Sequence, residues 1–341
     1  MAQHVAERAR IVIVAMPEIL VATPLHHSVV SQPYTFPDGL SIRKLPPILW
    51  DKATVKRWVS EDDQKYMNED RYWLCADKEV EYTLGGMAQD LYEKAMHAAL
   101  ALQIIAPTGA KHVFMEFGIT PEGLDNLGAS HPKQLCSSRL SRLYHAESPD
   151  FQQKFEAIYA GVKRAFTERI VRLQNPILLI EHGMQTGNVP LGNLMFSMAL
   201  DMLFMAGETK PFVSRIGGCL GLDTLVFPSL DLGSGYAYQP NVRVRDVIDH
   251  VYACRNIIAH GGEISAVPYR QPYTLIDTNG LAILPSEFVY IELLMDAAIA
   301  MLTRALQAVF LRGWVDDIKA KNPWKAKMTT FEHRYKNAIG N

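Results

Sequence analysis

The sequence predicts an α+β protein. A mixed α/β domain is expected over residues 1–125 and a mainly helical domain over 126–313, with a basic, aromatic tail at 314–341. Three observations predict this. Short runs of branched residues, punctuated by Pro and Gly, fill the first third. Segments with an apolar repeat near 3.6 fill most of the remainder. The length, 341 residues, exceeds what one hydrophobic core usually organises.

The elements follow in chain order. Strands are expected at 11–14, 40–42, 80–84 and 112–117, with Pro33, Pro37, Gly39, Pro46 and Pro47 between them. An Ala- and Leu-rich helix is expected at 87–105, stopping before Pro107 and Gly109. Residues 118–150 read as a connection, because Gly123, Gly128 and Pro132 interrupt any period. A helix at 151–173 is expected from Phe155, Ile158, Val162, Ala165, Phe166 and Ile170. The segment 190–206 is apolar on nearly every face and starts with Pro190, so it is expected to be the central buried helix. A shorter helix at 212–222 is weakened by Gly217 and Gly218. A helix at 242–260 is ended by Gly261. Asn279-Gly280 marks a hairpin insertion within 273–284. The helix 286–312, with Ser286 as its N-cap, closes the domain.

Bulk properties bound the function. Apolar residues make up 48 % and charged residues 21 %, as in ordinary globular chains. The net charge of -2 means that any nucleic-acid contact has to come from a local basic patch. Cys75, Cys136, Cys219 and Cys254 form no C-x-x-C pair, so buried free thiols in a reducing, cytoplasmic compartment are expected. The apolar run 11–16 is cut short by Pro17 and Glu18, too early for a signal segment. The run 291–311 is long and apolar, but Glu292, Asp296 and Arg304 share one face of it. It reads as an amphipathic core helix, so no membrane contact is expected.

Several common chemistries have no signature here. The sequence holds no P-loop, no H-E-x-x-H and no G-x-S-x-G. His26 and His27 are adjacent, which points their rings apart. Gly85-Gly86 and Gly217-Gly218 lack the strand-turn-helix setting of a dinucleotide loop and read as structural. No metal site and no cofactor are called for.

One segment, Val251-Tyr-Ala-Cys-Arg-Asn-Ile-Ile-Ala-His-Gly-Gly262, stands apart. Asn256 and His260 lie four apart on one helix face. Arg255 is about 140° from His260 on the wheel, within swinging reach of a long side chain. Gly261 lets the chain leave without a Cβ clash. The same residues admit a structural reading. Asp201 is the sole ionisable group of 190–206 and needs a partner if buried, and Arg255 is a candidate.

Arg255-Asn-Ile-Ile-Ala-His-Gly261 resembles the signature of HEPN domains, in which His follows Arg by four to six residues. The setting is similar too: Pro211-Phe-Val-Ser-Arg-Ile-Gly-Gly-Cys-Leu-Gly-Leu222 precedes the motif and a long helix follows it. Ala22-Thr-Pro-Leu-His-His27 and Leu40-Ser-Ile-Arg-Lys-Leu-Pro46 also resemble the ApeA-like branch of bacterial HEPN proteins. The resemblance implies a metal-independent endoribonuclease acting in defence or stress, with RNA as substrate and the chain paired as a homodimer. It implies Arg255, Asn256 and His260 as the catalytic set; Asp201, from its own need for a partner, is expected as a supporting residue. It equally admits a non-catalytic module that dimerises, docks a partner, or binds RNA or a nucleotide.

Two readings are open for the tail. Basic residues interleaved with aromatics can hold single-stranded nucleic acid, with Lys319, Lys321, Trp324, Lys325 and Lys327 as the contacts. Alternatively, the aromatics pack back on the body and the charges are simply solvated.

Overall fold

A computed structural model describes residues 19–25, 30–45, 71–78, 89–107, 115–120, 123–129, 148–186, 188–227, 236–238, 242–262, 275–277, 282–283 and 287–340. The chain is α+β, with an N-terminal antiparallel sheet followed by a mainly helical region. The strands are β1 (Ile19–Pro24), β2 (Tyr34–Phe36), β3 (Leu40–Lys44), β4 (Tyr72–Lys78), β5 (Met115–Thr120) and β6 (Gly123–Ala129), in the spatial order β2-β3-β4-β1-β5-β6. Helix α1 (Gln89–Ile105) packs on β4 and β1 of this sheet. The strands expected at 11–14 and 80–84 lie outside the described residues.

The segment expected to be a bare connection holds β6, which pairs with β5 across a register shift at Glu116/Phe117. Its sequence, GLDNLGA, has little strand propensity. Backbone pairing with β5 imposes the extended form at the sheet edge.

The helix expected at 151–173 is two. Helix α2 (Phe151–Thr167) stops because Arg169 takes φ +53°, and α3 (Val171–Gln185) follows. The Ile170 N–H donates to Ala165 O at 2.9 Å and the Arg169 N–H to Phe166 O at 3.2 Å, a Schellman closure. Ile170 is buried just past the break, so the apolar period runs on through a turn that ends the helix. Helix α3 carries Pro176 in its interior, which hides it from sequence reading.

Helix α4 (Val189–Phe204) starts on an N-cap, where the Asn188 side chain accepts the Leu191 N–H at 3.0 Å. Helix α5 (Thr209–Leu220) follows, then β7 (Leu225–Phe227), β8 (Tyr236–Tyr238), β9 (Val242–Arg243) and α6 (Val244–Ala259). Strands β10 (Leu275–Asp277) and β11 (Ala282–Ile283) form the expected hairpin pair, and β8 adds a third strand to it. The turn at Asn279-Gly280 and the N-cap position Ser286 are outside the described residues.

Helix α7 (Glu287–Leu311), not α4, is the hub. It packs against α1, α2, α4, α5 and α6. Its run Ile291–Leu311 is long and apolar enough to cross a membrane, yet most of it is buried inside this bundle. Glu292 and Asp296, on the charged face of this core helix, are buried. One continuous apolar core joins sheet and bundle, and Gln307 Nε2 donates to Ile104 O at 2.7 Å across that junction.

The tail is helical: α8 (Val315–Ala320) and α9 (Asn322–Ile339). Helix α9 lies against α5 at close range. A Cβ on Gly218 would stand 1.9 Å from Phe331 O, so the Gly217-Gly218 pair exists to let the α9 backbone in. Trp324 and Phe331 are buried, and Trp324 Nε1 donates to Leu203 O at 2.8 Å, satisfying a carbonyl at the end of α4.

Candidate functional site

Helix α6 positions the segment singled out in the sequence. Val244, Val247, Ile248, Val251 and Tyr252 are buried and face α4, α5 and α7. At its start, an Asp246 carboxylate oxygen accepts the Arg243 N–H at 2.8 Å. At its end the chain closes in a second Schellman motif. The Gly262 N–H donates to Ile257 O at 2.8 Å and the Gly261 N–H to Ile258 O at 3.2 Å. Gly261 takes φ +70°, which an L side chain adopts only under strain. His260 therefore sits at the C-cap with its imidazole exposed, and its backbone N–H donates to Asn256 O at 3.1 Å.

The structure brings Arg255, Asn256 and Asp201 into direct contact. Arg255 Nη2 donates to Asp201 Oδ2 at 3.0 Å, and Arg255 Nη1 to Asn256 Oδ1 at 2.7 Å. The guanidinium lies 5.4 Å from the centroid of the Tyr252 ring, a cation–π platform. Its Nε is buried and has no hydrogen-bond partner among the described residues. Two of five guanidinium donors are thus engaged, which leaves three. The Asp201 and Arg255 side chains retain 14 % and 21 % of their exposure, so the pair lies at the protein surface rather than inside the core.

Asp201 occupies the last turn of α4, where the helix dipole opposes a carboxylate. Two donors offset this: Arg255 and the Gly207 N–H, 2.5 Å from Asp201 Oδ1. The Tyr252 hydroxyl donates to Gly207 O at 3.3 Å. The α4–α5 turn is therefore fastened to α6 at two points, and the motif rests on a fixed base. No hydrogen bond joins the His260 side chain to Arg255; His260 is exposed at the end of the helix.

Among the described residues, no three His, Cys, Asp or Glu side chains are grouped to hold a metal ion. Burial pushes the Cys75, Cys219 and Cys254 thiols up to about 12, which removes them as nucleophiles near neutral pH. Cys136 and the His26-His27 pair are outside the described residues.

The tail residues divide. Trp324 is fully buried, so its ring is closed to base stacking, contrary to the first reading of the tail. Lys319 Nζ is 2.9 Å from Glu168 Oε2 and Lys327 Nζ is 3.2 Å from Asp317 Oδ2. Lys321 and Lys325 are exposed.

Two features lay beyond sequence reading. The outward side of α4 carries Leu191, Leu194, Met195, Met198, Met202 and Met205, all exposed or half-buried. At 100° per residue they fall within one arc of about 100°, and Asp201 edges it. An apolar count that runs all round the helix cannot separate this stripe from the buried side. The other feature is a cleft of about 420 Å³ between β2 and α2, lined by Phe36, Phe155, Tyr159 and Lys163. Lys163 is already paired there with Asp38, Nζ to Oδ2 2.9 Å.

No family model, curated protein or solved structure matches the chain.

Proposed function

We propose that the chain is a metal-independent endoribonuclease of the HEPN type, acting as a defence or stress effector. The observation that carries this reading is the end of α6. An arginine held by Asp201 and Asn256 lies on the same helix end as an exposed, glycine-flanked His260.

RNA brings its own nucleophile, the 2′-hydroxyl. A general base takes the 2′ proton, the oxygen attacks the adjacent phosphorus, and a general acid protonates the departing 5′-oxygen. The products are a 2′,3′-cyclic phosphate and a 5′-hydroxyl. His260 is the proton-transfer group, since imidazole titrates near neutral pH. The second N–H groups of Arg255 Nη1 and Nη2 stabilise the charge that builds on the phosphate oxygens. Asn256, whose carbonyl oxygen is committed to Arg255, has its amide nitrogen left to orient the phosphate. Asp201 positions Arg255.

One imidazole serves poorly as acid and base together. A homodimer supplies the second. The Leu191–Met205 stripe of α4 supports that pairing, because it is Met-rich, and Leu191 and Met198 are exposed on it. Its edge residue Asp201 contacts Arg255, so two copies joined on it bring two motifs near each other.

One observation favours a second reading, a non-catalytic module for dimerisation, partner docking or RNA binding. Asp201 already neutralises Arg255, as a purely structural ion pair does. Incubation with RNA in excess EDTA, followed by end-group analysis, separates the two. Accumulation of 2′,3′-cyclic phosphate ends supports the nuclease. Binding without cleavage supports the alternative, and cleavage that needs an added divalent metal contradicts the metal-independent mechanism.

A further inference from the structure

Helix α9 and its N-cap carry Lys321, Lys325, Lys327, Arg334 and Lys336 against one carboxylate, Glu332. These charges are not equivalent. Glu332 is turned to Arg215, Oε1 to Nε 2.7 Å, and Lys327 is held by Asp317 and stands over the Trp314 ring. Lys321, Lys325, Arg334 and Lys336 are exposed and form no ion pair with any described residue. On the wheel, Lys325 and Lys336 flank one side of the exposed half and Arg334 the other, with Thr329, Thr330 and His333 between.

Arg312 extends the patch. Arg312 is exposed, and its guanidinium and Lys327 Nζ each stand 5.1 Å from the Trp314 ring centroid, which sets Arg312 beside the start of α9. A chain of net charge -2 thus places unneutralised cations along both edges of the solvent-facing half of one helix.

We infer that the outer face of α9 is a sequence-independent track for an RNA phosphate backbone. The choice of RNA as partner rests on the nuclease reading above. The chemistry of the face supports a polyanion over other partners. Trp324, Met328 and Phe331 are buried, and the one exposed large apolar residue, Ile339, stands alone at the C-terminal end of the helix, so the face offers little to insert into a bilayer and no apolar core for a protein interface. With Trp324 inside, base stacking is also closed, and charge alone has to hold the ligand.

The test measures binding without cleavage. A fluorescent 20-nucleotide 2′-O-methyl RNA lacks the attacking hydroxyl, so its anisotropy reports binding whether or not the protein is a nuclease. The parent is compared with a variant carrying Lys321→Gln, Lys325→Gln, Arg334→Gln and Lys336→Gln. A control carries Lys319→Gln and Lys327→Gln, the two paired lysines. The slope of log K against log salt should fall by about 2 to 3 in the fourfold variant, at roughly 0.7 per phosphate released, and by less than about 1 in the control. Affinity at low salt should fall more than about tenfold in the fourfold variant.

Equal slopes in parent and fourfold variant overturn the proposal, as does equal loss in variant and control. Binding of the parent to phosphatidylglycerol vesicles without binding to RNA overturns it in favour of a membrane surface. All four side chains are exposed, and an unchanged circular dichroism spectrum confirms that the fold is kept. If it is not, the single Lys325→Gln and Lys336→Gln variants should each lower the slope by about 0.7.

Discussion

Arg255 Nη2 stands 3.0 Å from Asp201 Oδ2, joining the motif helix to the last turn of α4. This pair fixes where the guanidinium points and removes part of its charge. Both side chains keep some solvent, so the coupling is expected to be moderate. Asp201→Ala should destabilise the fold by about 1 to 3 kcal/mol, because it leaves Arg255 half-buried without its carboxylate. Urea unfolding of both single mutants and the double mutant should give a coupling energy of about 1 to 2 kcal/mol. Additive effects would show that the contact does not position Arg255.

The α5–α9 contact leaves no space at Gly218. Gly218→Ala puts a methyl group against the Phe331 carbonyl and should cost about 2 to 3 kcal/mol, as overpacking does. Gly261→Ala meets open space but a left-handed backbone, and should cost about 1 kcal/mol. Thermal melts that rank the two in the reverse order would contradict this packing.

His97 couples stability to pH. It is buried between α1 and α2, 4.9 Å from the Phe166 ring centroid. Burial holds its pKa below the ordinary 6.5. Lys163 acts the same way, and Glu93 acts against them. Its folded value is depressed, so the unfolded chain binds the proton first as pH falls. The contribution is complete above pH 6.5 and is lost below it, at up to about 1.4 kcal/mol per pH unit. Melting temperatures from pH 7.5 to 5 should fall less steeply in His97→Phe than in the parent.

The α4 stripe gives a separable test of assembly. Met198 is 40 % exposed, so Met198→Asp should leave the monomer folded. Light scattering should show a dimer for the parent and a monomer for the variant, with RNA cleavage lost alongside. A dimer that survives both Met198→Asp and Leu191→Asp places the interface elsewhere.

Much of the fold was legible in the sequence because its signals are local. The α1 run, Pro190 in the first turn of α4 and Gly261 past α6 each act within one turn of chain. What escaped depends on distant partners. Strand β6 is extended because β5 pairs with it, and α3 persists around Pro176 because the bundle packs it. Ile170 kept the period alive through a break that rests on Arg169 adopting φ +53°. The contact of Arg255 with Asp201 was foreseeable from charge alone, since a lone carboxylate on an apolar helix needs a cation. The fates of Trp324, Lys319 and Lys327 were not, because composition does not say which side of a helix faces the body.

Whether His260 moves protons at the RNA backbone is decided by one comparison. Parent and His260→Ala proteins are assayed for RNA cleavage in EDTA, with melting temperature measured on the same samples. His260 is exposed at a helix end, so its truncation should change stability by no more than about 0.5 kcal/mol. Cleavage by the parent, none by the mutant, and superimposable melts are expected. Undiminished cleavage by a folded His260→Ala protein would contradict that role and leave the Arg255–Asp201 pair as a structural contact.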